Sequence, residues 1–216
     1  MAARRTSLPT VDAIDDALLR EIAARGGVRH YPAGAVLVTE EDRSDALYIL
    51  LAGRVKVYGA GDDGREVVYG SMGKGEYFGE MTLDGGPRSA SVTTLEPTSC
   101  AVVPGPDVRD FLAHHPDFAL HLVKKLIRRS RELTEQVKSL ALEDVYGRIA
   151  RLLRTQARDE DGVPTLPEKL TQQDIAERIG ASREMVSRVM KPLAEGGWVG
   201  QKDGRITLLK KLPARW

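Results

Sequence analysis

The chain has a single cysteine, Cys100, among 216 residues. One thiol excludes an intrachain disulfide framework and a four-cysteine iron–sulfur cluster supplied by one chain. Cys100 lies in an alternating apolar run and reads as a small buried hydrophobe. Long hydrophobic runs are lacking too. No stretch approaches the roughly 18 apolar residues of a membrane span, and Met1 to Val11 has no apolar core behind Arg4 and Arg5, so the expectation is a cytoplasmic protein with no membrane partner. There is no Ser/His/Asp or Cys/His set and no metal-ligand spacing, so no catalytic residue, metal or covalent cofactor is expected. His30, His114, His115 and His121 form no recognisable ligand motif and read as surface or helix-end residues. The composition, 42% hydrophobic and 29% charged, is that of an ordinary globular chain. Its net charge of +1 hides an asymmetry: residues 143–216 carry +3 and residues 1–142 carry −2. A basic tail fits nucleic-acid binding only if the cations cluster on one face.

The longest periodic stretch runs from Asp117 to Leu142. Ala119, Val123, Leu126, Ser130, Leu133, Val137 and Leu140 recur at alternating steps of four and three, the seam of a coiled coil. A helix of that length spans roughly 39 Å, more than a small domain needs for its own core. The spacing therefore predicts a parallel homodimer seam in preference to one face of an ordinary core helix.

Ahead of it, Asp12 to Ala24 reads as a short amphipathic helix stopped by Gly26 and Gly27. Six strand-like runs follow: Ala35 to Thr39, Ala46 to Leu51, Arg54 to Tyr58, Glu66 to Ser71, Ser89 to Thr94 and Ser99 to Val103. Glycine and proline punctuate them closely, which predicts a small antiparallel barrel or roll. The segment from Tyr77 to Ala90 breaks the rhythm. Gly79 permits close backbone approach to a ligand, the following amides can face an anion, and Arg88 with Ser89 adds a charged donor and a hydroxyl. Glu80 would then face sugar hydroxyls. The alternative is a tight turn with a surface Glu–Arg pair.

After the long helix, Val145 to Ala157 is helical and runs into a loop from Arg158 to Pro164. Thr171 and Asp174 form a capping-box-like start, Ile175, Ala176 and Ile179 a buried side, and Gly180 a stop. Ser182 caps a second helix two residues later, the plan of a helix-turn-helix. On that second helix Val186, Val189, Met190 and Leu193 share one side, and Arg183, Glu184, Ser187 and Arg188 fill the other. Arginine matches guanine O6 and N7 and glutamate accepts from cytosine N4, so this face has base-reading chemistry. The alternative is a solvated face of local Glu–Arg pairs. Pro192 is expected to kink or end the helix near Arg188 to Lys191. Trp198 to Lys202 and Arg205 to Leu209 read as a hairpin, a wing able to touch phosphates through Lys202 or Arg205.

Phe78-Gly79-Glu80 with Arg88-Ser89-Ala90 resembles the phosphate-binding cassette of cyclic-nucleotide-binding domains. Together with Asp144-Val145-Tyr146-Gly147-Arg148-Ile149-Ala150 and Ser182-Arg183-Glu184-Met185-Val186-Ser187-Arg188, it resembles the cyclic-AMP receptor protein/fumarate–nitrate regulator (CRP/FNR) family over about residues 12–210. The resemblance implies an α+β fold: an N-terminal antiparallel β-roll of cyclic-nucleotide-binding type, a long dimerisation helix and a C-terminal winged helix-turn-helix. It divides the chain into an effector domain, 1–142, and a DNA-binding domain, 143–216, with a hinge near Ala141 to Asp144. It implies effector contacts from Gly79, Glu80, Met81, Arg88, Ser89 and Thr134, and DNA contacts from Thr171, Gln172, Ser182, Arg183, Glu184, Ser187, Arg188 and Lys202. The dimer seam becomes Val123, Leu126, Ser130, Leu133, Val137 and Leu140. Expected partners are a second copy, palindromic DNA with TGTGA- or TTGA-like half-sites about 34 Å apart, and RNA polymerase through loops such as Gly59 to Glu66 and Arg158 to Pro164. The expected effector is a cyclic nucleotide, cyclic AMP first, with cyclic di-GMP or no nucleotide as alternatives. A DNA-independent nucleotide-binding adaptor and a nucleotide-processing enzyme are the remote ones. The family's haem and iron–sulfur sensing lacks its ligands here. Two departures stand out: the loop from Gly79 to Arg88 is a residue or two shorter than in cyclic-AMP-binding members, and Leu133-Thr134 stands where they carry a Thr-Ser pair that meets adenine.

Overall fold

A computed structural model of the chain describes residues 16–62, 64–160 and 162–213. The expected first turn of the N-terminal helix, including Ile14, lies outside them, as does Asp161. The chain divides into two compact units, Met1–Lys125 and Leu126–Trp216, and the cut falls inside the long helix. Among the described residues no helix is long and apolar enough to cross a membrane.

The first unit opens with helix α1 (Ala17–Ala23), whose first amides are capped by the Asp16 carboxylate at 2.9 and 3.1 Å. Eight strands follow: β1 (Gly27–Tyr31), β2 (Val36–Val38), β3 (Ala46–Ala52), β4 (Val55–Ala60), β5 (Glu66–Met72), β6 (Tyr77–Phe78), β7 (Ser91–Thr94) and β8 (Thr98–Pro104). They form two antiparallel four-stranded sheets, ordered β1-β8-β3-β6 and β2-β7-β4-β5, the predicted roll. Strand β3 shows why it holds together. Leu47, Ile49 and Leu51 alternate toward a core shared with α1, with α2 (Gly105–His114) and with the first turns of α3 (Pro116–Leu142). Leu50 points the other way, into the roll with Val38, Val55, Phe78, Val92 and Cys100. Each such side chain, fully buried, contributes about 1.5–3 kcal/mol. Burial pushes the Cys100 thiol up to about 12, so it stays protonated and acts as a hydrophobe, as its run predicts.

Three elements of this unit have no counterpart among the sequence expectations, the two-residue strand β6 being the shortest. Strand β1 is a sheet edge whose side chains are mostly exposed, so it carries no apolar alternation, and its place is set by backbone pairing with β8. Helix α2 does carry a signal: Val108, Phe111 and Leu112 have helical spacing behind Pro106. In α3, Phe118 and Leu122 are anchored in the core. Beyond Leu122 only Ser139 is buried, and Val123, Leu126, Leu133, Val137 and Leu140 are exposed.

The second unit contains the rest of α3, then α4 (Val145–Gln156), α5 (Gln172–Ile179) and α6 (Arg183–Glu195). These pack on a four-stranded sheet ordered β11-β12-β10-β9, made of β9 (Arg158–Glu160), β10 (Val163–Thr165), β11 (Val199–Lys202) and β12 (Arg205–Leu208). Two expectations are corrected. The segment 158–164 is not a plain loop: it holds β9 and most of β10, with Gly162 at φ 82° between them and Glu160 opposite Val163. Its polar strands give no hydrophobic alternation. Of the two outcomes expected at Pro192, a kink or an end near Arg188 to Lys191, the end does not occur: helix α6 runs through Pro192 to Glu195. Leu193 is fully buried among Ile149, Leu153 and Val186, and that packing holds the last turn although Pro192 donates no backbone hydrogen bond.

Candidate functional site

The segment between β6 and β7 is built on Gly79. Its φ of 95° favours glycine, and a Cβ there would lie 2.5 Å from the Ala46 carbonyl oxygen and 2.6 Å from Arg88 Nη1. A short 3-10 helix, Glu80–Asp84, follows, with the Thr82 hydroxyl donating to the Gly79 carbonyl at 2.9 Å. Gly85, at φ 85°, turns the chain back, and the Asp84 carboxylate accepts from the Gly86 amide at 2.7 Å. Arg88 is then locked by its backbone: its amide donates to the Asp42 carbonyl and its carbonyl accepts from the Glu41 amide.

The Arg88 side chain is 4% exposed. Nε donates to Ser44 Oγ at 2.8 Å, Nη1 to the Gly79 carbonyl at 3.2 Å and Nη2 to the Ala46 carbonyl at 2.9 Å. The guanidinium also lies 5.8 Å from the Tyr48 ring centroid, and Tyr48 stacks on Phe78 at 4.9 Å. Every hydrogen-bond partner is neutral. Among the described residues no carboxylate forms an ion pair with it, and burial draws its pKa below the ordinary arginine value, against the opposing pull of Tyr48, Asp45, Asp42 and Glu80. A buried cation without a contacting counter-charge is costly, and that cost falls when an anion arrives.

Glu80, across Gly79, is treated differently. Its carboxylate pairs with Lys125 of α3, Oε1 to Nζ 3.2 Å. Ser89 is exposed and donates to the Met81 sulfur at 3.1 Å. Gly79, Glu80, Met81, Arg88 and Ser89 are thus gathered in one turn. Thr134 is exposed on α3, and its hydroxyl donates to the Ser130 carbonyl at 3.0 Å.

In the second unit helix α6 is set by caps and one arginine. Thr171 and Asp174 form the full capping box expected of them, which commits the Thr171 hydroxyl to α5. Gly180 closes α5 at φ 62°, and Arg148 Nη1 donates to the Ile179 carbonyl at 2.6 Å and to the Gly180 carbonyl at 3.3 Å, pinning the turn. Ser182 caps α6, accepting from the Met185 amide at 3.3 Å. Val186 and Leu193 face the core, while Arg183, Glu184 and Arg188 are exposed and Ser187 is half-buried. The Glu184 carboxyl is held below its usual range by its own backbone N–H and by the Ser182 hydroxyl, with Arg183 and Arg188 adding to the effect. Gln172 is half-buried and Lys202 is exposed on the wing. Arg205, the alternative to Lys202 as a phosphate contact, grips Glu160 in a two-point ion pair at 2.6 and 2.8 Å that ties β12 to β9.

These two constellations agree with the comparisons to known proteins. The family model for the cyclic nucleotide-binding domain matches residues 28–115, and that for the Crp-like helix-turn-helix domain matches residues 147–212. The chain is 33% identical over 184 residues to a CRP-like cAMP-activated global transcriptional regulator of Mycobacterium tuberculosis, covering 83% of this chain and 82% of that one. It is 33% identical to the cAMP-activated global transcriptional regulator CRP of Pasteurella multocida, covering 78% and 83%. The chain belongs to the CRP/FNR family. Among solved structures it is similar to the c-di-GMP-responsive global regulator CLP of Xanthomonas campestris, with TM-score 0.78, 25% identity and coverage of 89% and 98%. A CooA mutant from Carboxydothermus hydrogenoformans, with TM-score 0.76, 21% identity and coverage of 88% and 86%, shares the fold.

As a CRP/FNR member the chain is a transcription regulator and not an enzyme, with a cyclic-nucleotide-binding-type domain and a DNA-binding helix-turn-helix. Sequence patterns leave out three of its site residues. Ser44 and Lys125 reach the cassette from distant segments, and no local spacing marks them. Arg148 lies in the Gly147-Arg148-Ile149-Ala150 motif, and it holds the turn before α6.

Proposed function

We propose that the chain is a homodimeric, sequence-specific regulator gated by a cyclic nucleotide, with cyclic AMP the first candidate. The observation that carries the proposal is Arg88, a buried guanidinium whose hydrogen-bond partners among the described residues are all neutral. A cyclic phosphate supplies the missing charge, Ser89 adds a hydroxyl, and Glu80 receives the sugar. The relatives of M. tuberculosis and P. multocida are both described as cAMP-activated, which supports this ligand. Cyclic di-GMP is the second reading, favoured by the shortened Gly79–Arg88 loop, by Leu133 in place of a polar base contact and by the similarity to a c-di-GMP-responsive regulator. In the cyclic-AMP reading Thr134 keeps one polar contact to the base.

The exposed face of α3, with Val123, Leu126, Ser130, Leu133, Val137 and Leu140, pairs with the same face of a second copy. Division at residue 142 then separates the sensing part from the DNA-reading part, hinged near Ala141 to Asp144. Arg183, Glu184, Ser187 and Arg188 read G-containing half-sites of TGTGA or TTGA type, while Thr171, Gln172, Ser182 and Lys202 lie against the backbone. The site of action is the cytoplasm, with RNA polymerase as a further partner. Fluorescence anisotropy of palindromic duplexes at fixed salt, with and without each nucleotide, tests the whole. A nucleotide-dependent change in affinity for one half-site type is expected, and identical curves with and without every nucleotide would remove the gating.

A further inference from the structure

A groove of about 440 Å³ lies within the second unit, between the last turn of α4, strand β10 and the segment from Leu208 to Leu212. That volume falls in the range of small-molecule sites. The floor of the groove is apolar: Val163 and Pro164 come from β10, Leu208 ends β12, and Leu209 and Leu212 follow it. Leu209 is 56% exposed although the nearby Leu212 is buried, so an aliphatic surface faces solvent. The rim is cationic. Arg154, Lys210 and Lys211 line it, and among the described residues no carboxylate does. Lys210 is also held from the side, its ammonium donating to the Gly196 carbonyl at 3.2 Å and lying 5.8 Å from the Trp198 ring centroid. Arg154 and Lys211 are exposed. None of the residues expected to meet DNA lines the groove.

We propose that this groove is a second ligand site, for a small amphipathic carboxylate: an aliphatic body lies on Val163, Pro164, Leu208, Leu209 and Leu212, and its carboxylate meets Arg154 and Lys211. A phosphate or another bare anion would leave the aliphatic floor in water, and a neutral hydrocarbon would gain nothing from the cations. Only a ligand with both parts uses both. The Arg154 guanidinium offers a planar fork that takes a carboxylate at two points. The site belongs to the helix-turn-helix unit and is independent of the nucleotide reading. It touches β10 and the end of β12, the strand that also forms the wing with β11, so an occupant stabilises the sheet that carries the wing.

Titration of the full chain with octanoate, followed by backbone amide shifts in nuclear magnetic resonance spectra and with no nucleotide present, tests this beside acetate and octanol. Saturable shifts of the Val163, Leu208, Leu209 and Leu212 amides are expected with octanoate. Acetate has the charge without the body and octanol the body without the charge, and each should bind roughly tenfold more weakly or worse. The double variant Arg154→Gln, Lys211→Gln should lose octanoate affinity by about tenfold. Leu209→Asp should lose it at least as far, and because all three side chains are exposed the amides away from the groove keep their positions. Wild-type affinity in the double variant, or shifts spread over the molecule without saturation, would mark an adventitious contact and overturn the proposal. Absence of shifts at the groove overturns it as well and leaves this surface to a protein contact through residues 158–164.

Discussion

The arginines of the two candidate sites are built on opposite principles. Arg88 is buried, held by two carbonyls and a hydroxyl, and its charge is not matched by a contacting carboxylate. Arg183 and Arg188 stand in solvent on α6, and the helix beneath them is held by other residues, among them Val186, Leu193 and the Ser182 cap. The buried arginine is part of the fold, so its ligand chemistry and its stability are coupled. The exposed arginines are independent of the fold, so they can be exchanged without cost to folding.

Substitutions should separate the two cases, beginning with the most severe. Arg88→Ala removes three part-buried hydrogen bonds and the expected phosphate contact. It is expected to lower stability by about 3 kcal/mol in chemical denaturation and to abolish nucleotide binding, more than a hundredfold. Gly79→Ala places a methyl group against the Ala46 carbonyl and Arg88 Nη1 in a left-handed backbone. A loss of about 2–3 kcal/mol in the same assay is expected, with nucleotide affinity falling alongside. Arg188→Ala should behave oppositely, with an unchanged melting temperature and about 1–3 kcal/mol lost on the cognate duplex in anisotropy titrations. A melting temperature that falls for Arg188→Ala, or stays for Arg88→Ala, would break the contrast.

The smallest effect belongs to the wing. The Arg205 hydrogen bond depresses the Glu160 pKa below its ordinary 4.5 in the folded chain. A depressed carboxylate stabilises the fold fully above the unfolded value and loses that contribution as pH falls through the folded one. Glu160→Gln should therefore melt slightly below wild type at neutral pH and merge with it on acidification to about pH 3. Thermal melts at the two pH values check it.

What could be read from the residues follows the same division. The roll, the long helix and the helix-turn-helix are written in periodic apolar positions and in caps such as Thr171–Asp174, which are local. The cassette was recognisable because Gly79, Glu80, Arg88 and Ser89 fall within one short segment. The partners that tune it were not, because Ser44 and Lys125 are 44 and 45 residues away from Arg88 and Glu80 and are brought in by sheet and core packing. Strand β1 and the β9–β10 pair carry no sequence signal because their side chains are mostly polar or exposed and their order comes from backbone pairing. Pro192 misled because local propensity was outweighed by the burial of Leu193.

The central claim, that Arg88 is a buried cation awaiting a phosphate, is tested most directly by calorimetric titration of cyclic AMP into wild type and Arg88→Lys. Lysine retains a buried charge but not the planar fork that reaches Ser44, Gly79 and Ala46 together. Saturable heat in wild type and its loss in Arg88→Lys, with a folded far-ultraviolet spectrum in both, is the predicted result. Equal heats in the two proteins would contradict it.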